Sequence, residues 1–128
     1  KAIVQGTLKS KTGEINLPLI HSQTNRRKRE VGKNGREAIT KYKTISKTDS
    51  YTLLDIDLLT GRNHQIRAHF EYLKAPIVND VLYGAKKVND LDQNTICLQS
   101  YNIEFKLFDK DYNFSINEPE YFTSIMNM

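Results

Sequence analysis

The chain has 128 residues and a mass of 14.8 kDa, the size of one domain around one core. Its lone cysteine, Cys97, excludes an intrachain disulfide and a cysteine-pair zinc site and fits a reducing compartment such as the cytoplasm, and no apolar run approaches a membrane span. Residues 1–67 carry 14 Lys and Arg against 6 Asp and Glu, a net of +8, whereas residues 68–128 carry 5 against 9, a net of −4, so one face is suited to a polyanion unless the lysines and arginines merely solubilise the domain.

Residues 2–8 read as a strand, ended by a turn at 11–13. Because Lys1 leads straight into it, we expect a piece of a larger protein, with the first strand left with an exposed edge. Residues 14–20 are extended, with Pro18 marking an edge or an irregular stretch. Residues 25–36 hold six Lys or Arg (Arg26, Arg27, Lys28, Arg29, Lys33 and Arg36) and two glycines. They are expected to form a mobile loop held open by like-charge repulsion.

Strands are expected at 37–46 and 51–59 around a hairpin loop at 47–50. In the second, Leu54, Ile56 and Leu58 alternate with Asp55, Asp57 and Leu59, one face buried and one partly wet. Residues 63–74 form the best helix candidate, with Ile66, Phe70 and Leu73 at helical spacing and Thr60 or Asn63 as cap. Ala75 and Pro76 close it, and 78–90 is a loop containing Gly84. Residues 94–98 and 101–108 read as a strand pair and 112–117 as a further strand. Glu118, Pro119 and Glu120 open a short last helix with acids favourable to its dipole. This pattern is strand-rich α+β.

Chemistry concentrates at residues 59–70, a strand, a glycine turn and a helix whose first turns carry Arg62, His64 and Arg67. Cations there oppose the helix dipole at a cost of ~0.3–1 kcal/mol each, so an anion is expected beside them, either a carboxylate from elsewhere in the fold or a phosphate. The alternative is outward-pointing side chains that pair with Glu71 or solvent. His64 and His69, about 140° apart around a helix, cannot chelate a metal from one face, and no metal site is expected. No nucleophile elbow, phosphate-binding loop or dinucleotide fingerprint is present.

The stretch TGRNHQIRAH at 60–69, followed by APIVND at 75–80 and LYG at 82–84, resembles the RluA-type RNA pseudouridine synthases, with their pattern TGR-x-HQIR-x-H and PI-x-GD-x-x-YG. AITKY at 38–42 is similar to the family's strand before the hairpin, and KAIVQG at 1–6 to its Y-x-A-x-V-x-G strand. Leu98, Gln99 and Ser100 stand where Leu-His-Ala is usual. The related RsuA branch reads closer to GK-x-HQ-V-R. The family's catalytic aspartate lies in an R-L-D-x-x-T-S-G motif, and none of Asp49, Asp55, Asp57 or Asp80 has that context. Its active-site tyrosine would fall just before Lys1. Asn79 replaces the usual glycine.

The resemblance implies a mixed, mostly antiparallel sheet flanked by short helices, incomplete at its N-terminus, with residues 1–128 the C-terminal portion of a catalytic domain and inactive alone. It implies a cofactor-free isomerase acting on RNA, ribosomal or transfer. Uridine is flipped out, an aspartate starts cleavage of the C1′–N1 bond, and uracil rejoins through C5. Arg67 would pair with that aspartate and Ile66 would pack beneath the pocket. Arg62, His64 and His69 would support the pocket or hold phosphate, and the loop 26–36, with Arg26, Arg27, Lys28, Arg29, Lys33 and Arg36, would track the RNA backbone. A non-catalytic RNA-binding module that kept the fold is the competing expectation.

Overall fold

The computed structural model describes residues 1–89, 91–92, 95–99, 102–107, 110–115 and 119–127. The apolar run of β1 (Ala2–Gln5), buried on both faces, joins β2 (Thr12–Asn16), β5 (Ile39–Lys47) and β6 (Tyr51–Leu58) in one sheet in the order β1-β6-β5-β2 with every pairing antiparallel. Two short strands, β3 (Leu19–His21) and β4 (Arg29–Val31), make a separate arm. A further hairpin joins β7 (Asn102–Leu107) to β8 (Lys110–Ser115). The helices are α1 (Gln65–Tyr72) and α2 (Glu120–Met126), with one 3-10 turn at Val81–Tyr83. Among the described residues no helix is long and apolar enough to cross a membrane.

The two faces of the sheet bury different partners. Val4, Leu54 and Ile15 point to the α1 side, where Phe70 is wholly buried and Tyr42 meets it edge to face at 5.7 Å. Burying a ring such as Phe70 contributes about 1.5–3 kcal/mol. The Tyr42 ring passes close over Gly13, where a Cβ would come within 2.6 Å of its hydroxyl and would have to displace the ring. On the opposite face Ile3 and Leu53 pack with Phe122 and Ile125 of α2. Leu53 is therefore buried although the period-2 pattern assigns it to the wet face. Further along β6, where α2 does not reach, Lys41 and Lys43 stand opposite Asp57 and Asp55, and Leu58 is 43% exposed.

The first strand stops at Gln5 because Gly6 turns at φ +75°. Its outer edge is covered rather than exposed: the Ile3 amide donates to the Cys97 carbonyl, Val78 N to Ile3 O, and Gln5 N to Pro76 O. The stretch at 95–98 thus seals β1 instead of pairing with 101–108, and β7 pairs with β8. Thr12 and Gly13 belong to β2 rather than to a turn. Pro18 separates β2 from β3. Pro119 stands at the N-cap of α2 rather than inside its first turn, where the sequence pattern puts it, and Glu120 lies in that turn. Glu118, Ser100 and residues 116–117 lie outside the described residues.

The basic segment is an ordered arm and not an open loop. β4 pairs with β3 in the register Leu19↔Val31, and Arg36 returns to exchange both backbone hydrogen bonds with Leu19. A Cβ at Gly35 would stand 2.5 Å from the Leu19 carbonyl oxygen, so only glycine permits this approach. Repulsion is relieved locally, because Lys28 reaches Glu71 at 2.6 Å and Glu30 accepts the Gln23 amide at 2.9 Å.

Candidate active site

Helix α1 starts without the expected cap. His64 stands at the N-cap position in the left-handed region, φ 56°, and no side chain caps the first turn. Thr60 is occupied elsewhere: its hydroxyl accepts the Ile39 amide at 2.9 Å and donates to Gln65 Oε1 at 2.7 Å. Gln65 Oε1 also accepts the Arg62 amide, while Gln65 Nε2 donates to the Ile39 carbonyl and to Thr40 Oγ1. Thr40 in turn donates to His69 Nδ1 at 2.8 Å, because His69 Nε2 must carry the proton it gives to the Leu17 carbonyl at 2.9 Å. One directed chain of hydrogen bonds thus ties the Gly61 turn, β5, α1 and the end of β2 together. Burial lowers the His69 pKa and keeps it neutral.

That chain removes His69 from any RNA contact. The residue is wholly buried and both ring nitrogens are used inside the protein. Spacing placed it near the site, but the helix turns it inward against Thr40.

Arg67, one turn into α1, finds its anion in Asp80, which the 3-10 turn brings across. The contact is bidentate, Nε to Oδ2 at 2.9 Å and Nη2 to Oδ1 at 2.7 Å, with the Asp80 side chain 1% exposed and that of Arg67 20% exposed. The hydrogen bonding that Arg67 donates to the Asp80 carboxylate is the main cause of a raised Arg67 pKa. Arg67 Nη1 lies 3.2 Å from His64 Nε2. An arginine only donates, so Nε2 accepts, and the proton of the neutral imidazole sits on Nδ1 and points at the Tyr83 hydroxyl, 2.9 Å away. Burial, then the guanidinium charges of Arg67 and Arg29, hold the His64 pKa below its ordinary value, in keeping with that neutral ring.

Tyr83 is the hub of this cluster. It is wholly buried, its hydroxyl also accepts the Arg29 amide at 2.9 Å, and burial raises its pKa. Its ring carries Arg67 on one contact and Lys28 on another, at 4.8 and 4.9 Å from the centroid. Gly84, at φ +95°, lets the chain leave the 3-10 turn directly after it.

The sequence-predicted residues therefore separate. Arg67 and His64 come together. Ile66, partly buried, packs against both apolar clusters. Lys28 is neutralised by Glu71 and covers Tyr83. Arg26, Arg27 and Lys33 are exposed on the arm. Arg62 turns away from Arg67, its Nε donating to the Glu37 carbonyl at 2.6 Å, and lines a cleft with Arg29 and Arg36. Sequence reasoning left Asp80, Tyr83 and Gln65 without roles, although all three lie inside the quoted motifs. Among the described residues no group of three or more His, Cys, Asp or Glu converges as a metal site would require.

Fold and site together define an α+β domain that holds a fixed arginine, a neutral imidazole and a cationic cleft at one end of a helix, groups suited to a phosphate-bearing ligand. A family model described as RNA pseudouridylate synthase matches residues 1–72, and the chain belongs to the RNA pseudouridylate synthases, of the RluA type. It is 35% identical over 118 residues to ribosomal large subunit pseudouridine synthase D of Borreliella burgdorferi, covering 91% of this chain and 36% of that protein. It is 34% identical over 122 residues to ribosomal large subunit pseudouridine synthase C of Vibrio parahaemolyticus, covering 92% and 38%. The solved human RNA pseudouridylate synthase domain containing 1 superposes with a TM-score of 0.76 at 20% identity, over 92% of this chain and 53% of that one. The chain thus spans well under half the length of these curated relatives.

Proposed function

We propose that this chain is the C-terminal portion of the catalytic domain of an RNA pseudouridine synthase, and that the whole protein isomerises uridine to pseudouridine in structured RNA, without a cofactor, in the cytoplasm. The observation that carries this reading is Arg67, clamped from one side by the buried Asp80 carboxylate and presented next to a neutral His64. Asp80 is unsuited to start the reaction, because both its oxygens are engaged and the side chain is buried. The initiating aspartate is then supplied by the R-L-D-x-x-T-S-G motif, which this chain does not contain. It would meet the outer side of the Arg67 guanidinium, so residues 1–128 alone would be inactive. Two relatives named for the large ribosomal subunit favour ribosomal RNA over transfer RNA as the substrate.

In this reading Asp80 and His64 hold the arginine still, and the arginine holds the incoming carboxylate against C1′ of the flipped nucleotide. The test is release of tritium from RNA labelled at C5 of uridine, since the C5–H bond is lost when uracil rejoins through C5. The product of the complete reading frame should release tritium, and Arg67→Ala, assayed at a temperature where circular dichroism shows the destabilised variant still folded, should abolish release. Release undiminished by that change would show the arginine to be structural only. A complete protein that lacks the R-L-D motif and binds RNA without release would establish the non-catalytic module instead.

A further inference from the structure

Asn79, directly before Asp80, is a buried polar residue that the Arg67 cluster does not itself use. It is 1% exposed and stands in the left-handed region at φ 69°, which asparagine enters more readily than most residues. Its side chain holds three backbone groups from the stretch beyond Gly84. Nδ2 donates to the Asp92 carbonyl at 2.9 Å and to the Thr95 carbonyl at 2.6 Å, and Oδ1 accepts the Val88 amide at 2.7 Å. The two ends of the Asn79 amide cannot be exchanged, because a carbonyl only accepts and a backbone N–H only donates. One side chain thus gathers backbone groups 9, 13 and 16 residues further along the chain. Among the described residues of 85–96 there is no helix and no strand to hold that stretch otherwise.

The turn that carries Asp80 is therefore gripped from two sides. On one, Val78 N donates to Ile3 O of β1 at 2.8 Å. On the other, Cys97 N donates to Val78 O at 3.1 Å, and Asn79 draws in Val88, Asp92 and Thr95. Asp80 follows at once, its amide donating to Ile77 O and its carbonyl accepting the amides of Tyr83 and Ala85. Its carboxylate must then meet the Arg67 fork with both oxygens, a contact that tolerates little displacement of the turn. We propose that Asn79 is a positioning residue for Arg67: by clamping Val88, Asp92 and Thr95 it fixes the turn at 77–80 so that Asp80 keeps both oxygens on the guanidinium. The glycine usual at this position would accept the same backbone conformation and hold nothing. This role rests on the isomerase reading for its effect on turnover and stands without it for the geometry.

The test variant is Asn79→Gly, which keeps the left-handed backbone accessible and removes only the clamp. Ile125→Ala, in α2 on the opposite face of the sheet, is the control for lost stability, each variant being measured where circular dichroism shows it fully folded. In the nitrogen-15-labelled 128-residue chain, exchange of the Arg67 Nε–H with water follows local opening of its bond to Asp80. That exchange should quicken on the order of tenfold in Asn79→Gly and change little in Ile125→Ala. In the parent chain, the Asn79 side-chain amide and the Arg67 Nε–H should open together as urea is added below the unfolding transition. In the complete protein, Asn79→Gly should lower kcat for tritium release about tenfold with KM nearly unchanged, since the arginine is misplaced only for the reacting state. Nε–H exchange as slow in Asn79→Gly as in the parent, separate openings of the two groups, or a kcat loss no greater than that of Ile125→Ala would each overturn the proposal. If the complete protein never releases tritium while the Arg67 Nε–H still quickens in Asn79→Gly, the enzymatic reading falls and the clamp on Arg67 stands.

Discussion

The Arg67–Asp80 pair can be weighed by replacing Asp80→Asn, which keeps the shape of the side chain and removes its charge. Both oxygens of Asp80 contact the guanidinium, at 2.7 and 2.9 Å, and the aspartate side chain is 1% exposed. Breaking a fully buried pair costs about 3–5 kcal/mol. The Arg67 side chain keeps 20% of its exposure, so water can reach the abandoned cation, and about 2–3 kcal/mol is the better figure here. For a chain of this length that lowers Tm by about 7–11 °C. Arg67→Gln should cost more, about 3–5 kcal/mol, because it strands a carboxylate that water cannot reach. The double variant should be less destabilised than the sum of the two, by about 1–3 kcal/mol. Urea unfolding followed by circular dichroism measures all three. Additive single effects, or an Asp80→Asn chain that melts with the parent, would refute the claim that Asp80 holds the arginine.

Other outcomes follow from the hydrogen-bond network and the buried groups. Gln65→Ala should destabilise by about 2–4 kcal/mol, since it leaves the Thr60 hydroxyl and the Arg62 amide without their acceptor; a urea midpoint within error of the parent would contradict the chain of bonds described. Nitrogen-15 NMR of the neutral histidines should find opposite tautomers, the proton on Nδ1 in His64 and on Nε2 in His69, and a shared tautomer would break one of the two assignments. Both histidines have folded pKa values lowered by burial. Their contribution is therefore complete above the unfolded value of about 6.5 and lost as pH falls through the lowered values. Stability should fall as pH drops below about 6.5, chiefly through the wholly buried His69 and less through the more open His64, and a flat profile would show them to be free to protonate. The Cys97 thiol, wholly buried with its pKa pushed up to about 12, should react with an aromatic disulfide only after unfolding; rapid labelling of the native chain would contradict that burial.

Much of the central sheet was legible because its signal is local. The β5–β6 hairpin follows from two alternating runs and a polar turn, and Phe70 follows from helical spacing. Leu53 was not legible, since its burial depends on α2, which arrives almost seventy residues later in the chain. The order of the arm was also hidden: six cations in twelve residues read as repulsion until Glu71 and the Leu19 backbone are seen to meet them. His69 shows the same limit from the other side, because a histidine in a functional motif looks like a ligand until the helix turns it toward Thr40.

What the sequence determined by itself was the kind of domain and the segment that matters, because alternation, glycine turns and a long motif are carried by neighbouring residues. It also called for an anion beside the cations of α1, from the helix dipole alone. Only the tertiary structure decided which anion. Asp80 lies 13 residues beyond Arg67, and its approach depends on the 3-10 turn, on Gly84 and on the burial of Tyr83. The same holds for the cleft, where Arg29, Arg36 and Arg62 come from three separate stretches. Long-range packing alone can press like charges together, because the hydrogen bonds of the arm and the turn outweigh their repulsion.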